Sequence, residues 1–152
     1  MVKAQPDGYP TVSSALAVDG AAEAIAFYQS VLGATERMRM PAPGGKIAHA
    51  ELQLGDSVVM VADEYPDMGY LGPHKIGGSP VTLSVYVDDV DAVYAAAIEA
   101  GAAALREPED QFYGDRSAQF IDPWGHRWGV AQHIEDVPIE EMERRAMEMS
   151  EN

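Results

Sequence analysis

One order of elements is written twice in this chain, and that doubling constrains its fold more than any other feature. Thr11–Val18 alternates as a strand, with Val12, Leu16 and Val18 on one face and Ser13, Ala15 and Ala17 on the other. Asp19-Gly20 breaks it. From Ala21 to Leu32 the apolar residues Ala21, Ala24, Ile25, Tyr28, Val31 and Leu32 follow helical spacing, and Gly33 is placed as the C-terminal cap. Ala34–Met40, Ile47–Leu54 and Ser57–Val61 then read as three strands, separated by Pro41–Gly45 and Gly55-Asp56. The order restarts with a strand over Val81–Val87, Asp88-Asp89 as an N-cap pair, a helix over Val90–Ala100 and Gly101 as its cap. Aligning Gly33 with Gly101 sets the halves about 68 residues apart, a repeat that predicts two modules covering each other's open sheet faces.

The expected organisation is a single domain over 1–152, with module one at 11–63, a connection at 64–80 and module two at 81–133. The connection, rich in Gly, Pro, Asp and Tyr, carries little helical or strand pattern. Near the end of the second module, Asp122-Pro123 followed by Gly125 reads as a hairpin turn between two strand-like runs. A C-terminal helix is expected over 138–149, with proline in its first turn and arginines after its acidic residues. In it Glu140 and Glu141 each precede an arginine, Arg144 and Arg145, by four positions. Its narrow apolar edge, Ile139, Met142, Ala146 and Met149, suits docking on its own domain or on a partner subunit.

Composition narrows the function classes. With no cysteine, a disulfide, a thiolate zinc site and a Cys nucleophile are all excluded. Ten Lys and Arg against 25 Asp and Glu give a formal net charge of −15, which argues against nucleic acid and anionic membrane surfaces as partners. No signal-peptide or membrane-spanning pattern is visible, so a cytoplasmic location is expected.

The helix residues Glu23–Tyr28 ending at Leu32-Gly33-Ala34, the segment Val87-Asp-Asp-Val-Asp91, and the turn Asp122-Pro-Trp-Gly-His126 together resemble the vicinal oxygen chelate superfamily. That superfamily includes glyoxalases, extradiol dioxygenases, fosfomycin-resistance thiol transferases and bleomycin-resistance binding proteins. Asp110–Arg116 with Asp122–Trp128 is most similar to its PhnB-like branch. The resemblance, covering roughly residues 11 to 133, implies an α+β fold of two βαβββ modules. They would form a curved eight-stranded mixed sheet around a cleft, with helices on the convex side and self-association into a homodimer. Metal enzymes of the superfamily carry ligands near the starts of the first strands and on the last strands of the modules. Carried onto this sequence, those positions fall at Ser13 and Thr82, and near Met60 and Gly129. None offers an imidazole or a carboxylate, which a protein-held divalent metal needs in numbers, so no metal or other cofactor is expected.

Strand parity predicts what the cleft offers instead. Leu83, Val85 and Val87 pack beneath the helix, leaving Thr82, Ser84 and Tyr86 toward the cleft. His49, Glu51 and Gln53 point inward opposite Leu52 and Leu54, as do Ser117 and Gln119 opposite Phe120, and Gly129, Ala131 and His133 opposite Trp128 and Val130. Candidate ligand-binding residues are Met60, Thr82, Ser84, Tyr86 and Gln119, with Phe112, Tyr113, Asp115 and Arg116 on a lip. Aromatic residues and methionine suit flat or amphipathic molecules. The lip residues read equally as a loop held by its own rings and ion pair. His49, Glu51 and His133 are the candidate catalytic or noncanonical metal-binding groups, with polar lining as the plainer reading. His126 reads as a structural hydrogen-bonding residue, and His74 carries no signal.

Three functions compete. The first is a metal-free protein that sequesters an aromatic or cationic small molecule. The second is an enzyme, either a metal-dependent lyase or isomerase using His49, Glu51 and His133, or a metal-free catalyst. The third is an accessory protein acting through its acidic C-terminal helix.

Overall fold

A computed structural model describes all 152 residues. The chain forms β1 (Ser14–Val18), α1 (Ala21–Leu32), β2 (Thr35–Ala42), β3 (Lys46–Leu54), β4 (Ser57–Asp63), a short α2 (Pro73–Ile76) and β5 (Thr82–Tyr86). It continues with α3 (Val90–Glu99), β6 (Ala103–Asp110), β7 (Asp115–Ile121), β8 (Arg127–His133) and α4 (Ile139–Glu151). The eight strands divide between two four-stranded sheets ordered β1-β4-β3-β2 and β5-β8-β7-β6. In each, the first strand runs parallel to the last and the remaining pairs are antiparallel. The doubled order read from the sequence is therefore an α+β fold with the same mixed sheet built twice. The first strand of each copy is shorter than its alternation suggested. β1 begins at Ser14, and Val12, assigned to the apolar face, is 82% exposed.

Two compact units result, Met1–Pro80 with Pro123–His126, and Val81–Asp122 with Arg127–Asn152. In the first, the whole predicted stripe of α1 is buried against the sheet, where Val18, Leu52 and Val61 are almost fully enclosed. Burying a side chain of this size stabilises by about 1.5–3 kcal/mol. Phe27, outside the stripe, is buried too, because its ring meets Tyr28 and Trp124 edge-on at 5.7 Å each. The residue before α1 is Gly20, which has no side chain to cap with, and Asp63 takes that role from the end of β4. Parallel pairing sets Val18 opposite Asp63, and its Oδ1 accepts the amides of Gly20 at 3.0 Å and Ala21 at 2.9 Å. A carboxylate there also complements the helix dipole.

The connection after β4 holds more structure than its composition suggested, namely a 3-10 turn over Pro66–Met68 and α2. Buried Glu64 anchors it by accepting the Gly72 amide at 3.1 Å and pairing with Lys75. The tip of the β7–β8 hairpin belongs to this unit. His126 Nε2 lies 2.9 Å from the Ala17 carbonyl, and His74 Nε2 lies 2.8 Å from that of Pro123. His126 thus holds a backbone oxygen, as read from the sequence. His74, which carried no signal, does the same.

The second unit packs α3 on Ala118, Phe120, Trp128 and Val130, all buried. The Trp128 indole donates to buried Asp122 at 2.9 Å, so the large ring keeps its polar edge satisfied. Asp89 caps α3 by accepting from the Ala92 amide at 3.1 Å. Gln132, the counterpart of Asp63, accepts from the Val90 amide at 3.3 Å. Of the expected apolar edge of α4, Met142 is half-buried and borders an opening with Tyr113 and His133, whereas Ile139 is 72% and Met149 63% exposed. Polar ties fix this helix, with Arg145 donating to the Phe112 carbonyl at 3.0 Å and pairing with Glu135 and Glu141. No helix is long and apolar enough to cross a membrane.

Candidate functional site

The open face of the second sheet is a grid whose rows are fixed by strand register. Thr82, Arg127 and Ile121 form one row, and Ser84, Gly129, Gln119 and Arg106 the next. Tyr86, Ala131 and Ser117 form a third, and His133 faces Asp115 at the far edge. The alternate residues Trp128, Val130, Ala118 and Phe120 are buried on the helix side. Parity thus puts Thr82, Ser84, Tyr86, Gln119 and Gly129 together, as the sequence predicted. A cavity of about 170 Å³ lies over this floor, bordered by Ser84, Tyr86, Arg106, Tyr113, Asp115 and Gln119 among others. Gly129 lines it without a side chain.

One polar chain runs along the edge of the cavity. The Tyr86 hydroxyl donates to Asp115 Oδ2 at 3.0 Å, His133 Nδ1 lies 2.8 Å from Asp115 Oδ1, and His133 Nε2 lies 2.7 Å from Asp136. Carboxylates at both ring nitrogens favour the imidazolium, so the pKa of His133 is raised, Asp136 contributing most and Asp115 next. Its hydrogen bond to Asp115 likewise raises the pKa of Tyr86 and keeps the phenol protonated. Asp115 is only 7% exposed and both its oxygens are engaged, so it serves as a buried brace rather than a free group on a lip.

The other lip residues go elsewhere. Phe112 and Tyr113 meet each other edge-on at 5.3 Å, and of the two Tyr113 reaches the cavity. Arg116 has the parity of Ala118 and Phe120, and there it bonds Asp91 through two nitrogens at 2.8 and 2.9 Å and Asp110 at 2.9 Å. The ring-and-ion-pair reading of this loop describes those contacts.

In the first unit, Glu51 is buried on β3 and accepts a short hydrogen bond from Tyr9. Its other oxygen lies 3.0 Å from His49 Nε2. The Tyr9 bond first, then His49, lowers the pKa of Glu51, so the carboxylate is ionised and fully engaged. Ser13 and Met60 border a separate opening of about 410 Å³ walled by Gln5, Pro6 and Tyr9.

A metal of the superfamily type does not fit these residues. At the positions assigned to it stand two hydroxyls, a thioether and a glycine without a side chain. His49 and Glu51 bond each other in one unit, His133 bonds aspartates in the other, and no three His, Asp or Glu side chains gather so as to hold an ion. Sequence reasoning missed Tyr9, Arg106 and Asp136. Arg106 was within reach of the parity argument, since β6 pairs it with Gln119. Tyr9 and Asp136 lie outside regular elements, where no periodicity points to their partners.

Comparison with known proteins agrees with this architecture. The family described as Glyoxalase/Bleomycin resistance protein/Dioxygenase superfamily matches residues 11–130. An uncharacterized protein of Mycobacterium tuberculosis is 40% identical over 137 residues, 88% of this chain and 81% of that protein. Among solved structures, TioX from Micromonospora sp. ML1 is 28% identical, covering 81% of this chain and 99% of that one with a TM-score of 0.61. A PhnB protein from Bacillus cereus shares the fold at 18% identity, over 81% and 99% of the two chains, with a TM-score of 0.65.

Proposed function

The chain belongs to the glyoxalase/bleomycin resistance protein/dioxygenase superfamily, and from that premise we propose that it is a metal-free binding protein that sequesters a small aromatic or amphipathic molecule. The ligand lies on the open face of the second sheet, its flat body over Gly129 and against Tyr86 and Tyr113. One observation carries this reading: the floor is built of small and hydroxyl-bearing residues around a bare glycine, and the metal positions lack donors. Such a floor supplies contact area and a few hydrogen bonds but no set of ligands for a metal that would polarise a substrate oxygen. In this reading the protein works in the cytoplasm and as a homodimer, the exposed apolar side chains Ile139 and Met149 of α4 being available to a second copy. A monomer in sedimentation at micromolar concentration removes the dimer.

The test has two arms. Protein purified without chelator is analysed for nickel, zinc, manganese and iron, and its melting temperature is followed with added metals and with a panel of aromatic antibiotics and aldehydes. A ligand that binds the native state raises stability with the logarithm of its concentration over Kd. The expected outcome is substoichiometric metal, no response to metals and a dose-dependent rise with aromatic compounds. Stoichiometric metal in the purified protein overturns the reading. A second reading, metal-free acid–base catalysis, is favoured by one observation, the contact of His49 with Glu51 beside Tyr9. Loss of aldehyde turnover in His49→Gln, with unchanged ligand binding, is its signature.

A further inference from the structure

We propose that Arg106 and Arg127 form an oxyanion site on the open face of the second sheet, and that the sequestered molecule carries a carboxylate, phosphonate or related group which the two guanidinium groups hold. The inference deepens the binding reading above and rests on it.

It begins with where the positive charges of this acidic chain are spent. Lys3, Arg39, Lys75, Arg116, Arg144 and Arg145 are each in an ion pair. Arg37 donates to the Gly8 carbonyl at 2.9 Å and lies over the Tyr9 ring at 4.3 Å. Lys46 is near enough to Glu64 to lower the pKa of that carboxyl. Apart from Lys46, Arg106 and Arg127 are the cations with neither a hydrogen bond nor an ion pair, in a chain with 25 acidic residues. More pointedly, Arg127 Nε is buried and has no hydrogen-bond partner. A guanidinium donor removed from water without an acceptor is costly, and an acceptor supplied by a ligand would offset that cost.

Register places both arginines on the face that carries the cavity. Arg106 pairs with Gln119 in the row of Gly129, and Arg127 pairs with Thr82 and Ile121 in the adjacent row. Standard sheet spacings put their backbone positions about 12 Å apart, with Gly129 and Gln119 between them. At that spacing two long side chains on one face can reach a shared oxyanion with the forked contact that guanidinium makes. Ser84, Thr82 and Gln119 offer neutral hydrogen bonds beside them. The one carboxylate bordering the cavity, Asp115, has both oxygens occupied by Tyr86 and His133, so it is not the partner the arginines lack.

The negative charge of the whole chain pointed toward a cationic ligand. Around the cavity the charged groups are Arg106 and the fully engaged Asp115, with Arg127 in the adjacent row, so the overall sign of the chain does not carry over to this face. An anionic ligand finds a charge complement on this face, and a cationic one meets two uncompensated positive groups there.

The experiment is a titration of the full-length protein with benzoate, phenylphosphonate, benzamide, benzylamine and inorganic phosphate, followed by melting temperature and calorimetry at low and high salt. Binding is expected for benzoate and phenylphosphonate, weakened by salt, and lost or reduced about ten-fold in Arg106→Gln and in Arg127→Gln. Binding of inorganic phosphate alone, with the same sensitivity, means that the free anion suffices and keeps the assignment of the arginines. Benzamide or benzylamine binding as well as benzoate, or unchanged benzoate affinity in both variants, overturns the oxyanion site while leaving a binding protein. No response to any of the five probes at millimolar concentration removes both readings. A further variant, Arg127→Met, separates ligand binding from structure. A ligand-binding arginine replaced by an apolar side chain leaves the unliganded melting temperature equal or higher, and a clear fall shows that Arg127 is a structural residue instead.

Discussion

Asp63, the last residue of β4, accepts the amide of Ala21, the first residue of α1, at 2.9 Å. A second bond from Gly20 reaches the same oxygen, and the Ile47 amide donates to the other at 2.7 Å. One carboxylate thus caps a helix whose own preceding residue has no side chain, and it does so across 42 positions of sequence. Asp63→Ala is expected to lower stability by about 2 kcal/mol, the upper range for losing a helix cap, with Asp63→Asn losing less. Urea denaturation followed by far-ultraviolet circular dichroism measures both, and equal loss in the two variants is the result that sinks the capping account.

Gly114 closes the turn between β6 and β7 with φ +101, and its carbonyl accepts the amides of Ile134 at 2.9 Å and Glu135 at 3.0 Å. A Cβ added there would stand 2.1 Å from the Glu135 carbonyl oxygen, a backbone atom that cannot rotate away. Gly114→Ala is therefore expected to destabilise by about 3 kcal/mol, combining left-handed strain with a backbone clash. Faster amide hydrogen exchange at Ile134 and Glu135 is the local readout.

His133 gives a pH dependence with a definite sign. Its folded pKa is raised above the unfolded value, so its contribution is fully present below about 6.5, the ordinary histidine value, and is lost as pH rises through the folded pKa. Stability is expected to decline on the alkaline side of that ordinary value, and the decline to flatten in Asp136→Asn. An NMR titration of the His133 ring that returns an ordinary pKa in the unmodified protein contradicts the arrangement.

Gly129 permits a test of the floor itself. An added Cβ meets Ser84 Oγ at 3.6 Å and Thr82 Cγ2 at 3.7 Å, which are ordinary contacts. Gly129→Ala is expected to gain about 0.5–1 kcal/mol through reduced freedom of the unfolded strand, and Gly129→Leu to fill the cavity. A melting temperature retained in Gly129→Leu, together with loss of every probe that binds the unmodified protein, locates the ligand on this face.

Much of the fold was legible because its signals are local. The stripe of α1, the cap at Asp89 and the alternation that sets Ser84 and Gly129 on one face are all periodicities of two or 3.6 residues. What escaped depends on distant partners. Asp63 reads as a residue after a strand until parallel pairing sets it beside α1, and Phe27 falls outside its helical stripe until Trp124 arrives to cover it. In α4 the spacing of Glu140 and Arg144 suggested a pair, yet Arg144 takes Glu141 and Glu148 and leaves Glu140 exposed. For the site, parity found the floor but not the charges upon it. Whether an arginine is spent on a neighbour or left unspent is decided by side chains that the sequence does not order, as the contrast of Arg116 with Arg127 makes plain.

The four residues Pro123–His126 fold with the first unit, although both strands that flank them fold with the second. No single cut of the polypeptide therefore yields two intact halves. A fragment ending at Pro80 lacks the indole that covers Phe27 and Tyr28, and its complement carries that indole with nothing of its own unit to rest on. The two units are thus separable in space but not along the chain.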